Sequence, residues 1–482
     1  MSTNTKYEAV IGLEIHTQLK TKTKAYSGDE YIFGAKPNTK TSIITLGHPG
    51  TLPRSNKKVV EYAVKFGLAI GGKIRKINQY ARKNYFYPDL PKGYQITQDT
   101  TPICNGGNIM IKDKNGKKKK INITRLHMEE DAGKNIHDID PFNSLVDLNR
   151  AGVPLIELVT EPEISSADEA YQFVSEVRKL VKYLDISNGN MEEGSLRCDA
   201  NISIRKKGDI KFGTKVEIKN MNSINNIKRA INFEIKRQTD LLINNQKIKH
   251  ETRSYDAVSN ITISMRHKEK ANDYRYFPEP DLLPIKISKE DIERIKKNLP
   301  PLPNELQNKF LNNFKLNEYD TNVLIEDKNI ALYFNELCEY TNNYKQAANF
   351  INGTVKSYLN ENAISIKQLN INPKRISTII NLISNGKISN SIASNKIFPK
   401  MLKDTKTANE IAIENNWIKE NDTDIIHNYI QQAISKYPEK KVEYQNGKKG
   451  LLGLFMGEVM KLSKGKADPK LANKLLILEL EK

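Results

Sequence analysis

The sequence predicts an α+β fold: an antiparallel-sheet cradle domain, then an all-helical domain, then a small helical tail domain. Three observations lead there. Up to about residue 290, polar and apolar residues alternate in run after run, the period-two signature of strands that bury one face. Gly- and Pro-rich turns (GHPGTLP, YPDLPKGY, RAGVP, FPEPDLLP) punctuate those runs. From KEDIERIKKNLPPLP onward the texture becomes that of successive helices separated by Asn- and Pro-containing turns. The expected domains are residues 1–290, 291–405 and 406–482.

The elements follow in order. GLEIHTQL sets Glu14, His16 and Gln18 against Leu13, Ile15 and Leu19, a first strand. A helix is expected over Asn56–Ile70, with Val59, Tyr62, Ala63 and Phe66 at helical spacing. Asn115-Gly116 is a strong hairpin turn between IMIK and KINI, so the Lys117–Lys120 run reads as a solvated hairpin arm. TRLHMEED places Arg125, His127 and Glu129 opposite Leu126 and Met128, and PLIELVTEPE carries Glu157 and Glu161 within an apolar run. A second helix runs from a Ser166 cap to about Tyr183, with Ala170, Phe173, Val174, Val177 and Leu180 on one side.

The clearest strand is LRCDANISIR. Arg197, Asp199, Asn201, Ser203 and Arg205 alternate there with Leu196, Cys198, Ala200, Ile202 and Ile204. KVEIKN follows, with Lys215, Glu217 and Lys219 against Val216 and Ile218. A turn-like KKGD separates the two, so an antiparallel pairing is expected. Any register that pairs odd with odd residues puts both polar sets on one face. In the helical part, Ile376, Ile379, Ile380 and Ile383 form a stripe, Asp404–Thr407 reads as a hinge, and Pro469 fits the first turn of a last helix.

Composition narrows the function. The 482 residues carry 76 Lys and Arg against 57 Asp and Glu, a net charge of +19, which points to a polyanionic partner. The joint abundance of Lys, Asn and Ile also marks a coding bias that raises Lys without any selection for binding. Three widely spaced cysteines, Cys104, Cys198 and Cys338, form neither a disulfide framework nor a metal knuckle; they read as packed thiols in a reducing, cytoplasmic compartment. No secretory signal and no run of transmembrane length is expected.

An ordinary solvated sheet face favours Thr, Ser, Lys and Gln. Here Glu, His, Asp and Arg recur on strand after strand, which predicts a charged concave site. Clustered carboxylates repel one another unless something positive sits among them. Glu14, His16 and Glu129, with Glu157, Asp199 or Glu217, make a candidate set of hard-cation ligands, better suited to magnesium or manganese than to structural zinc. Carboxylate-held magnesium flanked by Lys and Arg is the general recipe for phosphoryl transfer. The sequence has no G-x-x-x-x-G-K-[ST] loop, no Gly-rich dinucleotide fingerprint after a strand, and no cysteine or serine–lysine arrangement of a glutaminase. Pattern alone therefore stops at a magnesium-dependent, nucleotide-using enzyme with RNA as a candidate partner.

The residues go further. GLEIHTQL, PGTLP, RKNYFYPDLPKGYQITQ, HMEEDAGK, VDLNRAGVPLIELVTEPEI, MEEGSLRCDANISI, KVEIKNMNS, ETRSYD, NDYRYFPEPDLLP and GEVMKLSKGKADP closely resemble the B-subunit family of the glutamine-dependent aspartyl/glutamyl-tRNA amidotransferases, in order and essentially end to end. The resemblance implies a heterotrimer. An amidase A subunit releases ammonia from glutamine, a small C subunit ties A to B, and B phosphorylates the esterified side-chain carboxylate of mischarged Glu-tRNA(Gln) or Asp-tRNA(Asn) with ATP and Mg2+ before amidation. A non-catalytic tRNA-binding scaffold of the same complex is the alternative.

By the same resemblance Glu14, His16 and Glu129 fall on metal positions, and their strand faces add Glu157 and Asp199. Glu129, Glu217 and Lys215 are the catalytic candidates, and Arg197, Lys219 and Arg275 the nucleotide-binding ones. One departure stands out. Many relatives carry a C-x-C…C-x-x-C zinc quartet after the first strand, where this chain has Ser27, Asp29, Ser42 and Thr45. No zinc is expected there, so hydrogen bonds or packing must hold that loop.

Overall fold

The computed structural model describes residues 6–482 apart from 114, 138, 267–270, 419–422 and 464. It divides into two compact units, one ending at Leu302 and one beginning at Pro303.

The first unit is built on a large sheet. Its principal strands are β1 (Tyr7–Gln18), β4 (Lys118–Glu130), β5 (Pro154–Thr160), β6 (Leu196–Lys206), β7 (Val216–Lys219), β8 (Thr252–Asp256) and β9 (Ile261–Arg266). A smaller sheet holds β2 (Ala81–Asn84), β3 (Tyr94–Thr97) and β10 (Phe277–Pro278), in the order β10-β2-β3. Across the large sheet the order is β9-β8-β7-β6-β1-β5-β4, so the first strand lies at the centre. All these neighbours are antiparallel except β7 and β8. A parallel pair needs a crossover, and the helix Ile224–Ile243 between them supplies it. The cradle is therefore the expected antiparallel sheet with one parallel pair, β7 with β8.

Alternation decides which face is which. Ile11, Leu13 and Ile15 of β1, Leu126 and Met128 of β4, Ile156 and Leu158 of β5, and Cys198, Ala200 and Ile202 of β6 enter one buried core. Three helices supply its other side: α1 (Lys57–Ala69), α2 (Ala167–Tyr183) and α3 (Ile224–Ile243). Each begins at the polar residue that caps it. Asn56, Ser166 and Ser223 accept hydrogen bonds from backbone amides of the first turn, worth about 1 kcal/mol each. A one-residue slip of β1 would turn its buried side chains toward the polar face. Each contributes about 1.5–3 kcal/mol, so losing three or four would consume most of a typical net stability of about 5–15 kcal/mol. That cost fixes the register.

The expected hairpin at Asn115-Gly116 is formed, Asn108–Lys112 pairing with Lys118–Asn122. The three cysteines are free and buried; burial pushes the Cys104 and Cys338 thiols up to about 12, as packed, unreactive thiols require.

The second unit is helical among its described residues. Helix Pro373–Ser384 buries Ile376, Ile379 and Ile380. The Asp404–Thr407 segment is tied to that helix. The Arg375 guanidinium donates to the carbonyls of Met401 (3.2 Å), Asp404 and Lys406 (2.7 Å), and Thr378 accepts from the Ala408 amide at 3.1 Å. Farther on, Ile426, Ile430, Phe455, Val459 and Leu476 belong to a separate core, and Pro469 opens the last helix with Asp468 as its cap.

Candidate active site

Register assembles the polar face. On β1, His16 lies opposite Glu157 of β5 on one side and Arg197 of β6 on the other, while Glu14 lies opposite Asp199. Glu157 lies opposite His127 of β4, and Asn201 of β6 opposite Glu217 of β7. The odd-with-odd pairing of β6 and β7 is the one alternation predicts. It brings side chains from distant parts of the sequence onto one surface.

Two acid-rich clusters result. In the first, His16 Nε2 lies 3.1 Å from a Glu157 carboxylate oxygen and 3.5 Å from one of Glu129. His127 joins from the other side, its Nε2 3.4 Å from Glu157 and 3.6 Å from Glu129. Thr97 Oγ1 of β3 donates to Glu129 at 3.4 Å. In the second cluster stand Glu14, Asp199 and Glu217. Asn201 Nδ2 donates to Glu14 and Thr252 Oγ1 to Glu217, both at 2.9 Å, and the Lys219 ammonium donates to Asp199.

The electrostatics follow from burial opposed by opposite charge. Burial works against protonated His16 and His127, yet the Glu157 and Glu129 carboxylates outweigh it; His16 is raised and His127 reaches about 9. For Glu157 burial pushes upward, but the two imidazoles hold it well below the usual range. Lys219 is raised because Asp199 and Glu217 overcome its burial. Asp131 takes a Gln18 amide at 2.8 Å and the Arg197 guanidinium at 3.0 Å; burial opposes its charge, and Arg197 and Arg150 prevail.

Both clusters suit a hard divalent cation. Within each, one ligand atom from every residue lies within 4.8 Å of the others. In the second, Asn201 Oδ1 is a buried oxygen with no hydrogen-bond partner, an acceptor in want of a positive neighbour. The five residues expected to share one metal site are thus divided: His16, Glu129 and Glu157 in one cluster, Glu14 and Asp199 in the other, with Glu217 as its third member. Arg197 and Lys219 border the clusters, each held by a carboxylate. Lys215 is exposed just ahead of β7, and Arg275 is exposed before β10. His127 is the residue missed as a site member. Its signal was present, since it shares the parity of Glu129, but its reach to Glu157 depends on the β4–β5 register.

The loop after β1 also closes as a site of its own. Asp29 Oδ2 accepts from Ser27 Oγ at 3.0 Å, from the Ser42 amide and hydroxyl, each at 2.9 Å, and from Thr45 Oγ1. One carboxylate gathers the other three side chains of the four positions at which no zinc was expected.

A sheet with acid-rich clusters on one face and helices on the other forms a cradle, and a helical unit follows it in the chain. A family model described as the GatB/GatE catalytic domain matches residues 9–293, and one described as the GatB domain matches residues 332–480. The chain belongs to this GatB/GatE family. It is 45% identical over 476 residues to the B subunit of the aspartyl/glutamyl-tRNA(Asn/Gln) amidotransferase of Clostridium tetani, covering 99% of both chains. It is 46% identical to the proteins of the same name from Thermodesulfovibrio yellowstonii (98% of both chains) and Trichodesmium erythraeum (99% of this chain, 98% of the relative).

Proposed function

We propose that this chain is the catalytic B subunit of a tRNA-dependent amidotransferase, a carbon–nitrogen ligase that uses ATP and takes its amide nitrogen from glutamine. Its substrates are Glu-tRNA(Gln), Asp-tRNA(Asn) or both. It acts in the cytoplasm with an amidase subunit and a small third subunit. The observation that carries this reading is the pair of acid-rich clusters side by side on one sheet face, bordered by Lys219 and Arg197. A carboxylate does not exchange oxide for ammonia, because oxide is a very poor leaving group. Transfer of the terminal phosphoryl group of ATP to a side-chain carboxylate oxygen gives an acyl phosphate and ADP. Ammonia then forms the C–N bond, phosphate departs with the C–O bonding pair, and the nitrogen loses a proton.

The residues divide the work. His16, Glu129 and Glu157, with Glu14, Asp199 and Glu217, would hold Mg2+, which neutralises charge on the transferring phosphoryl group when bound. Lys219, Arg197, Lys215 and Arg275 are the candidate phosphate contacts; Lys219 and Arg197 are the better placed, beside the clusters. Glu129 and Glu217 are the candidate catalytic carboxylates.

In the assembled complex, His16→Ala and Glu129→Ala should each abolish amide formation while leaving tRNA binding largely intact. Retained amidation at ordinary magnesium would overturn the cation-holding role. The competing reading, a tRNA-holding scaffold, draws on the basic charge of the chain. ATP hydrolysis by the complex with mischarged tRNA but without glutamine separates the two: its absence, with normal tRNA affinity, favours the scaffold.

A further inference from the structure

The parallel pair β7–β8 carries Glu217, and a buried ionic network holds that pair from behind. At its centre is Glu234 of α3, a fully buried carboxylate. It accepts from the Arg237 guanidinium (3.0 Å), the Gln238 amide (2.9 Å) and the Thr262 hydroxyl of β9 (3.0 Å). Arg253 of β8 lies 3.8 Å from Glu234. It also donates to the Thr262 hydroxyl (2.8 Å), the Thr262 carbonyl (2.6 Å) and Glu251 (2.7 Å). Ser264 closes the network on Glu251 at 2.6 Å. Burying charge adds little net stability, and the use left to such a network is to fix one arrangement.

What it fixes is a bulge. The β8–β9 register shifts between Thr252 and Arg253, and bulges beside a site re-aim a side chain. The residues that the network holds, Glu251 and Arg253, flank Thr252 in the chain. The Glu217 amide donates to the Glu251 carbonyl at 3.1 Å, and Thr252 lies opposite Glu217 in the parallel register. Thr252 is thereby turned to the polar face, where its Oγ1 donates to Glu217 Oε2 at 2.9 Å; both residues are buried.

The choice of donor matters. A carboxylate that holds a cation must keep its charge while its orientation is fixed. An ammonium on it would fix it but also compete with the cation, as Lys219 does on Asp199. A hydroxyl is neutral, so it fixes Glu217 and leaves the charge; the Lys219 ammonium stands farther off, 3.7 Å from the other Glu217 oxygen. We propose that Thr252 is a positioning residue of the second cluster, holding Glu217 in the orientation in which it shares a divalent cation with Glu14 and Asp199. The proposal rests on the cation-holding reading given above.

The test uses the assembled complex with Mn2+ alone as the probe, the free ion being counted by its electron paramagnetic resonance. The parent should bind two Mn2+ ions, one in each cluster. Thr252→Val keeps the branched shape and removes the hydroxyl. It should weaken one ion by about 10–100-fold, the usual effect of losing a group that orients a ligand, while the other ion keeps its parent affinity. Thr252→Ser should bind as the parent does. In a Glu217→Gln background Thr252→Val should add no further loss, since two changes acting through one interaction are not additive. Parent affinity for both ions in Thr252→Val overturns the proposal, and so does a further loss on top of Glu217→Gln. A Thr252→Ser complex as weak as Thr252→Val, with a lowered melting temperature, also overturns it, because Thr252 would then serve packing. A parent complex that binds fewer than two Mn2+ ions overturns the cation-holding reading instead.

Discussion

His127 enters the site from β4, two residues before Glu129, and contacts the same two carboxylates as His16. Its ring is almost wholly buried, its Nδ1 has no partner, and the Glu157 and Glu129 charges raise it to about 9 against the pull of burial. It is therefore a donor that holds Glu157 and Glu129 in place, a supporting role that commonly governs metal affinity. His127→Ala should raise the magnesium needed for half-maximal ATP hydrolysis by roughly 10–100-fold, with activity largely recovered at saturating magnesium. A magnesium titration checks this; an unchanged midpoint would refute the supporting role. Arg197 differs from it in kind. Because Asp131 already holds it at 3.0 Å, it can shift toward a phosphate only by giving up that pair.

At the level of the element, the loop after β1 is closed by one carboxylate, Asp29, which accepts hydrogen bonds from Ser27, Ser42 and Thr45. Burial alone would raise the Asp29 carboxyl, but donors from Thr45, Ser42 and Ser27 lower it from 3.8. The sign follows: the contribution is complete above 3.8 and is lost as pH falls through the depressed folded value. Amide protection across residues 27–45, measured against the intrinsic exchange rate at each pH, should fall at acid pH before that of the sheet. Asp29→Asn should show the same opening at neutral pH, and a zinc chelator should change nothing in the parent. The helix Pro373–Ser384 acts similarly through Arg375, which satisfies three carbonyls of the 401–406 segment. That segment is a stitched connection at this end, where the sequence suggested a hinge.

For the whole molecule, the separate core around Ile426, Phe455 and Leu476 sets where the chain can be cut. Removing everything from residue 408 would strip the helix Ala408–Glu414 from its contacts with Thr378 and remove Trp417, whose ring lies under Lys396 and Lys400. Removing residues 423–482 instead should leave the rest folded. The shortened chain, assembled in the complex, should bind tRNA more weakly and with a shallower dependence on salt while keeping its affinity for ATP. Phosphate contacts impose that salt slope, and filter binding across a salt series measures it; unchanged tRNA affinity would refute a tRNA role for the tail. The division of these helical regions into domains at 405 and 406 is a proposal.

Much of this was legible in the sequence because its signals are local. Period-two alternation in GLEIHTQL, TRLHMEED and LRCDANISIR placed every cluster residue of those strands on the correct face, since a strand turns successive side chains to opposite sides. Asn56, Ser166 and Pro469 marked helix starts, since a cap acts within one turn. What stayed hidden depends on contacts distant in sequence. Alternation cannot order the strands, so it could not divide five expected ligands between two clusters, bring His127 to Glu157, or lay Thr252 beside Glu217. By itself the sequence determined which residues face the site and, through its family motifs, the chemistry to expect there. Only the tertiary structure decided which of them meet, because strand order and register are set by burying one common core, and the polar face takes whatever neighbours that burial imposes.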